Sequence, residues 1–250
     1  MTPMDQRRMV VPDSRVQHAY RIRVSLFLLA VIVTIVVLAV GYQAIYTLKV
    51  LDVVEHDRDR WQQPAEVIEP LNLKSGSFVA DIGSGAGYFT LKLAPIVGQQ
   101  GGVFAVDILM EPLAFLWVRT LLHHQRNVHV VHGDPDNPHL PKGRLDAVLV
   151  ANTYHELTHS RAVLNRVFEG LHPGGRLVIV DRGPPSADDE SRQSEVGLHE
   201  IAASAVERDL RDTGFEVISR KDRFIGMNAA ERSGDRPGSH TWWLIVAHKP

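Results

Sequence analysis

Residues 79–87, Val-Ala-Asp-Ile-Gly-Ser-Gly-Ala-Gly, constrain this chain more than any other stretch. A short apolar run meets an acid there and opens into glycines at three alternate positions, Gly83, Gly85 and Gly87. This reads as a buried strand that turns sharply. Tyr88 to Leu93 continue at helical spacing, so the turn leads into a helix N-terminus with N–H groups that lack intrahelical acceptors. Glycine admits positive φ and removes the Cβ atoms that would hold a ligand off the backbone. A second apolar run, Val103 to Val106, stops at Asp107, about 20 residues past the last glycine. A carboxylate placed there can accept hydrogen bonds from the vicinal hydroxyls of a ribose. The expected ligand therefore contains a nucleoside.

The spacing discriminates among nucleosides. The dinucleotide fingerprint G-x-G-x-x-G asks for Gly or Ala at its sixth place, which Tyr88 occupies here, and the third glycine comes one residue early. Asp81 would repel a pyrophosphate but suits a ligand that carries an ammonium group. At these residues the chain resembles the class I, Rossmann-like S-adenosylmethionine-dependent methyltransferases, whose first motif is an acid followed by G-x-G-x-G. The resemblance runs from about Trp61 to the C-terminus. It implies S-adenosylmethionine as cofactor and methyl transfer as activity. It also implies a binding set of Asp81, Gly83, Ser84, Gly85, Gly87 and Tyr88 from the first motif, with Asp107 and Ile108 from the next strand end. Asp134 and Pro135 follow the third strand, with Asp134 on the adenine amino group. Asn152 follows the fourth, where Asn152 to His155 would border the methyl group and its acceptor. The Pro173-Gly174-Gly175 turn also fits the family.

Strand and helix patterns alternate through this region. Strands are expected at 79–82, 103–106, 128–131, 145–150, 176–180, 215–219 and 241–247, and helices near 112–123, 160–171 and 202–213. The order predicts an α/β fold: a Rossmann-like, seven-stranded, mostly parallel sheet with helices on both faces. No helix separates the last two strands, so the final strand should run antiparallel. A Gly- and Pro-containing loop from 226 to 239 leads into it.

The fourth strand end carries a competing signal. His155-Glu156-Leu157-Thr158-His159 matches H-E-x-x-H, the zinc-hydrolase motif, which needs both histidines on one face of a helix. The preceding β-type run and the turn residues Asn152 and Thr153 place the helix start near Ser160, so no metal site is expected. His155 is instead a candidate general base for the acceptor, with Glu156 or Tyr154 orienting it. The histidines around the third strand lack carboxylate or cysteine partners at metal spacing and read as surface residues.

The N-terminus has a different character. Residues 1–23 form a tail with five arginines, and no charged residue occurs from Val24 to Tyr46, long enough to cross about 30 Å of hydrocarbon as a helix. A membrane anchor over 24–46 is expected. A cleavable signal peptide ending near Ala39-Val40-Gly41 is the rival, and the apolar run continues past that point. The arginine excess before the span places the N-terminus in the cytoplasm, whereas S-adenosylmethionine is made there, so the side of the domain stays open. Residues 47–65 read as a charged linker, solvated over Asp52 to Arg60, and the start of a lid helix in which Trp61 packs; residues 66–250 form the methyltransferase domain.

A net charge of −2 and the lack of a basic, aromatic-rich patch give no sign of a nucleic-acid partner. With no cysteine, thiol nucleophiles and disulfides are excluded. The acceptor is expected to be a small molecule, and the anchor favours a lipid or quinone-like one. A non-catalytic, membrane-tethered nucleoside-binding module and a nucleotide-dependent oxidoreductase remain as alternatives. Oligomeric state is not encoded in any motif.

Overall fold

The computed structural model describes residues 14–184, 200–224 and 242–250. The loop expected at 226–239 lies outside them, as do the first 13 residues. The chain divides into two units, 1–54 and 55–250. In the first, residues 14–54 belong to a single helix, α1 (Ser14–Gln62), whose side chains from Arg21 to Tyr46 are all exposed. This helix is long and apolar enough, by length and composition, to cross a membrane.

The second unit is a seven-stranded sheet in the order β3-β2-β1-β4-β5-β7-β6. The strands are β1 Phe78–Ile82, β2 Gly102–Asp107, β3 Val128–His132, β4 Leu145–Ala151, β5 Leu171–Arg182, β6 Glu216–Lys221 and β7 Trp242–His248. The first five are parallel, and β7 lies antiparallel between β5 and β6. The antiparallel pairing of β7 with β6 is the one the sequence predicts. Central strands β1, β4 and β7 are apolar almost throughout because helices cover both faces, whereas edge strands β3 and β6 alternate.

One face carries α2 (Pro64–Ile68), a 3₁₀ turn at Glu69–Leu71, α3 (Thr90–Val97) and α4 (Met110–Leu122). The other carries α5 (Ser160–Gly170) and α6 (Ala203–Asp212), which pack with Tyr154 and Trp243. The Pro173 to Gly175 segment differs from the expected free turn. It lies within β5, where Leu145 pairs with Leu171 but Ala147 already pairs with Arg176. The extra residues bulge out, held by Gly174 N–H on the Lys249 carbonyl and Lys249 N–H on the Gly175 carbonyl.

The unit boundary at Glu55 also departs from the expected linker. Residues 55–62, the last two turns of α1, belong to the sheet domain, and Trp61 packs against Trp242 with ring centroids 5.7 Å apart.

Candidate functional site

Strand order reverses between β1 and β4, because β2 and β3 lie to one side of β1 and β4 and β5 to the other. Their crossovers leave to opposite faces and open a crevice beyond the carboxyl ends of the strands. The Gly-rich turn floors this crevice. It is tied to the neighbouring strand by Gly83 and Ser84 N–H groups, both donating to the Val106 carbonyl at 2.8 and 3.0 Å.

The three glycines serve three different purposes. All have positive φ, at 73°, 52° and 95°. A Cβ on Gly83 would lie 2.1 Å from Thr153 Oγ1, and one on Gly87 would lie 2.3 Å from Leu116 Cδ1, so these two admit the fourth strand end and helix α4. A Cβ on Gly85 would meet nothing within 4 Å. Gly85 is thus the glycine whose missing side chain leaves room for a ligand.

Asp107 lies beside that room. Its Oδ2 accepts the Gly85 N–H at 2.8 Å and its Oδ1 accepts the Leu109 N–H at 2.9 Å. Each oxygen has a further lone pair, so the carboxylate is oriented by protein donors while keeping capacity for two hydroxyls. Gly83, Gly85, Asp107, Ile108, Asp134, Pro135 and Asn152 all line one pocket, together with Leu109, Thr153, Glu156 and Leu157. Asp134 also accepts a hydrogen bond from His139 Nε2 at 2.8 Å. Asn152 takes the left-handed conformation, φ 53°, and its N–H donates to the Val180 carbonyl. Its Oδ1 is buried and unpartnered, as is Ser84 Oγ. A buried polar atom without a partner is costly, and Asn152, which lines the pocket, is placed to gain one from a ligand. The space at Gly85, the paired acceptors of Asp107 and the unpartnered Asn152 Oδ1 fit an adenosine-type cofactor.

Of the six first-motif residues expected to bind the cofactor, Gly83 and Gly85 line the pocket, whereas Asp81, Ser84, Gly87 and Tyr88 do not. Asp81 is fully buried beneath the turn and accepts the Thr90 hydroxyl at 2.6 Å at the start of α3. Burial pushes its carboxyl up to about 6, against the opposing pull of the Thr90 hydrogen bond and the Arg58 charge. Tyr88 points instead toward α1: its hydroxyl donates to Asp59 at 2.8 Å and Arg58 stacks over its ring at 4.0 Å. Burial, with Asp59 close by, pushes the phenol above its ordinary value.

The expected solvated run is therefore a latch on the Gly-rich turn. Arg119 of α4, almost fully buried, makes a two-point pair with Glu55 at 2.6 and 2.7 Å and also donates to the Ala86 carbonyl at 2.7 Å. Arg58 bonds Gln62, and burial lowers its guanidinium from the usual value. Burial alone would raise Asp59, but hydrogen bonds from Lys92 and Tyr88 hold it below the usual carboxylate range. Sequence reasoning missed Glu55, Arg58, Asp59 and Arg119. The available signal was spacing, since Glu55, Arg58, Asp59 and Gln62 share one helical face.

At the fourth strand end, residues Tyr154–Glu156 form a 3₁₀ turn and α5 starts at Ser160, so His155 and His159 are not one turn apart on a helix. His155 is buried, with its Nδ1 2.8 Å from Asp181 Oδ1 and its backbone N–H on Asp181 Oδ2. A carboxylate only accepts, so the proton sits on Nδ1 and Nε2 faces Glu156 Oε1 at 3.5 Å. Of the three candidate catalytic residues only Glu156 lines the pocket. Tyr154 lies in the opposite core and donates its hydroxyl to Asp209 at 2.9 Å, which places it away from an acceptor.

Known proteins resemble this chain in sequence and in fold. Residues 79–175 match the model of a methyltransferase domain family. The chain is 32% identical over 120 residues to a ubiquinone/menaquinone biosynthesis C-methyltransferase of Pseudomonas savastanoi pv. phaseolicola, covering 48% of this chain and 47% of that one. It is 33% identical over 178 residues to an arsenite methyltransferase of Aquipseudomonas alcaligenes, covering 68% of this chain and 49% of that one. The chain thus spans about half the length of the curated relatives it matches. A SAM-dependent methyltransferase from Aquifex aeolicus shares the fold, with a TM-score of 0.59 at 24% identity over 74% of this chain and 88% of that one. Residues 79–175 thus carry a methyltransferase domain, and the sheet that holds it has the fold of a known SAM-dependent methyltransferase.

Proposed function

We propose that this protein transfers a methyl group from S-adenosylmethionine to a small apolar acceptor at a membrane, and that residues 24–46 anchor it there. The observation that carries the cofactor assignment is the open space at Gly85 beside the Asp107 carboxylate. When bound, the cofactor supplies an electrophilic methyl on a cationic sulfur. The chain supplies alignment and exclusion of water. Asp107 would hold the ribose, Asp134 and Pro135 the adenine, and the Asn152 amide would meet a remaining polar edge. Asp81, with Arg58 nearby, sets the charge below the turn where the amino-acid end of the cofactor would lie.

Glu156 is the ionisable group that faces the acceptor side, and His155 acts through it. Asp181 fixes the imidazole with its proton on Nδ1, so that the Nε2 lone pair, 3.5 Å from Glu156 Oε1, can take up a proton that this carboxylate receives from the acceptor. Two features support an apolar acceptor. The pocket is lined by Ile108, Leu109, Leu157 and Val163, and one relative is a ubiquinone/menaquinone biosynthesis C-methyltransferase. The 250 residues contain no cysteine, so no thiolate is present to hold a soft arsenic(III) centre.

The test is labelled methyl transfer by the full chain to membrane lipid extracts, with Glu156→Gln and His155→Asn beside the parent. Both variants should bind S-adenosylmethionine as the parent does and turn over roughly 10²–10⁴-fold more slowly. Parental turnover in both would leave alignment alone as the mechanism, and absence of cofactor binding in the parent would overturn the reading.

A further inference from the structure

Helix α4 is apolar on both sides. Its inner face buries Leu113 and Leu116 against β2 and β3. Its outer face exposes Met110, Trp117, Val118, Leu121 and Leu122, with Trp117 57% and Leu121 55% exposed. These positions recur at i, i+7, i+8, i+11 and i+12, which aligns them as one stripe along the helix. A helix apolar all round belongs in a protein core or in lipid, yet this one lies on the surface of its domain. The stripe continues at its N-terminal end into Ile108 and Leu109, which are exposed and also line the cofactor pocket. Beyond its C-terminal end stand the exposed polar residues His123, His124 and Arg126.

We infer that the outer face of α4 is a membrane-contact surface that sits in the headgroup and upper acyl region of a bilayer, so that an acceptor passes from lipid along Ile108 and Leu109 into the pocket. Three observations favour lipid over a protein as the occupant. The chain itself carries a helix apolar enough to cross a membrane, and only residues 47–54 separate its apolar run from the sheet domain. A span seated in a bilayer therefore keeps the domain within reach of that bilayer, and contact becomes an intramolecular event at high effective concentration. The stripe pairs a tryptophan with aliphatic side chains and ends in a cationic Arg126, a composition that suits an interface with anionic headgroups. Finally, the apolar stripe is continuous with the mouth of the pocket, which a lipid-soluble acceptor requires and a docking protein would obstruct.

The inference rests on the proposed membrane anchor, and the experiment separates the two. The chain has no cysteine, so a single introduced one carries a single spin label. Val36→Cys reports the span, Leu121→Cys the stripe, and Arg166→Cys the exposed surface of α5 on the other face of the sheet. Full-length chains with parental thermal unfolding are placed in vesicles of phosphatidylethanolamine and phosphatidylglycerol, and collision of each label with oxygen and with a water-soluble nickel chelate is measured. The expected result is a lipid-type oxygen excess at 36, a several-fold higher oxygen-to-nickel ratio at 121 than at 166, and an aqueous signal at 166. A lipid signal at 36 with an aqueous one at 121 overturns the contact surface alone. An aqueous signal at 36 overturns the anchor and the inference with it. Protection of 121 from both reagents, with spin–spin broadening that disappears on dilution with unlabelled chains, would assign the stripe to a second copy and also overturn it.

Discussion

At the scale of single residues, the Gly-rich turn divides ligand space from packing space, and substitution should separate the two. Gly85→Ala places a methyl in the open pocket; it should cost the fold only about 1–2 kcal/mol, from left-handed strain, yet weaken S-adenosylmethionine binding at least about tenfold. Gly87→Ala drives its methyl into buried Leu116 and should lose about 2–3 kcal/mol of stability first. Chemical denaturation and calorimetry on both variants check the contrast. Asp81 predicts a pH effect with a definite sign. Its folded value of about 6 lies above the ordinary 3.8, so its contribution to stability is present at acid pH and is lost as pH rises through about 6. A cationic ligand group favours the ionised form, so cofactor affinity should rise over the same interval. Asp81→Asn should flatten both differences, measured as parent minus variant in thermal unfolding and in titrations across pH 4 to about 7.

At the scale of elements, the end of α1 shows how charge in a sequence misleads. Asp52 to Arg60 has the composition of a solvated linker, but its Glu55 carboxylate faces a buried arginine brought from α4, 64 positions away. Charge density in a segment is local, whereas the partner that desolvates it comes from another element. Glu55→Gln removes the anionic partner and one of the two acceptor oxygens from the buried Arg119 guanidinium, whose charge then stays desolvated. It should destabilise the domain by about 2–4 kcal/mol, a large share of a typical total, and loosen the turn against its cofactor. Equilibrium unfolding with and without S-adenosylmethionine checks this, and a change confined to the ligand-free state would show that the cofactor substitutes for the latch. The strands and helices themselves were legible, because period-two and period-3.6 patterns report which side of an element is buried. The bulge at Pro173 to Gly175 was not, since whether a turn stands free or joins a strand depends on the Lys249 backbone beyond β7.

At the scale of the whole molecule, the chain combines an apolar helix with a sheet domain that begins at Glu55. Removing residues 1–46 retains Glu55 and every strand, so the remaining chain should fold and bind cofactor with affinity close to the parent's. It should lose carbonate-resistant membrane attachment, which only a span provides, and keep at most a salt- and carbonate-sensitive association through α4. Fractionation before and after carbonate extraction measures both.

The order of elements, the antiparallel ending, the Gly-rich turn and the acid Asp107 could all be read from the chain, because each depends on neighbours in sequence: hydrophobic period, glycine torsions and the residue that ends a strand. Motif membership alone could not say which glycine faces the ligand, since Gly83 and Gly87 are claimed by Thr153 and Leu116 from distant elements. Nor could it say which of Tyr154, His155 and Glu156 reaches the pocket. Three consecutive residues in a 3₁₀ turn point in different directions, and tertiary packing gave the first to Asp209, the second to Asp181 and the third to the crevice. Contacts made across the fold, between side chains with no sequence relation, decide those assignments.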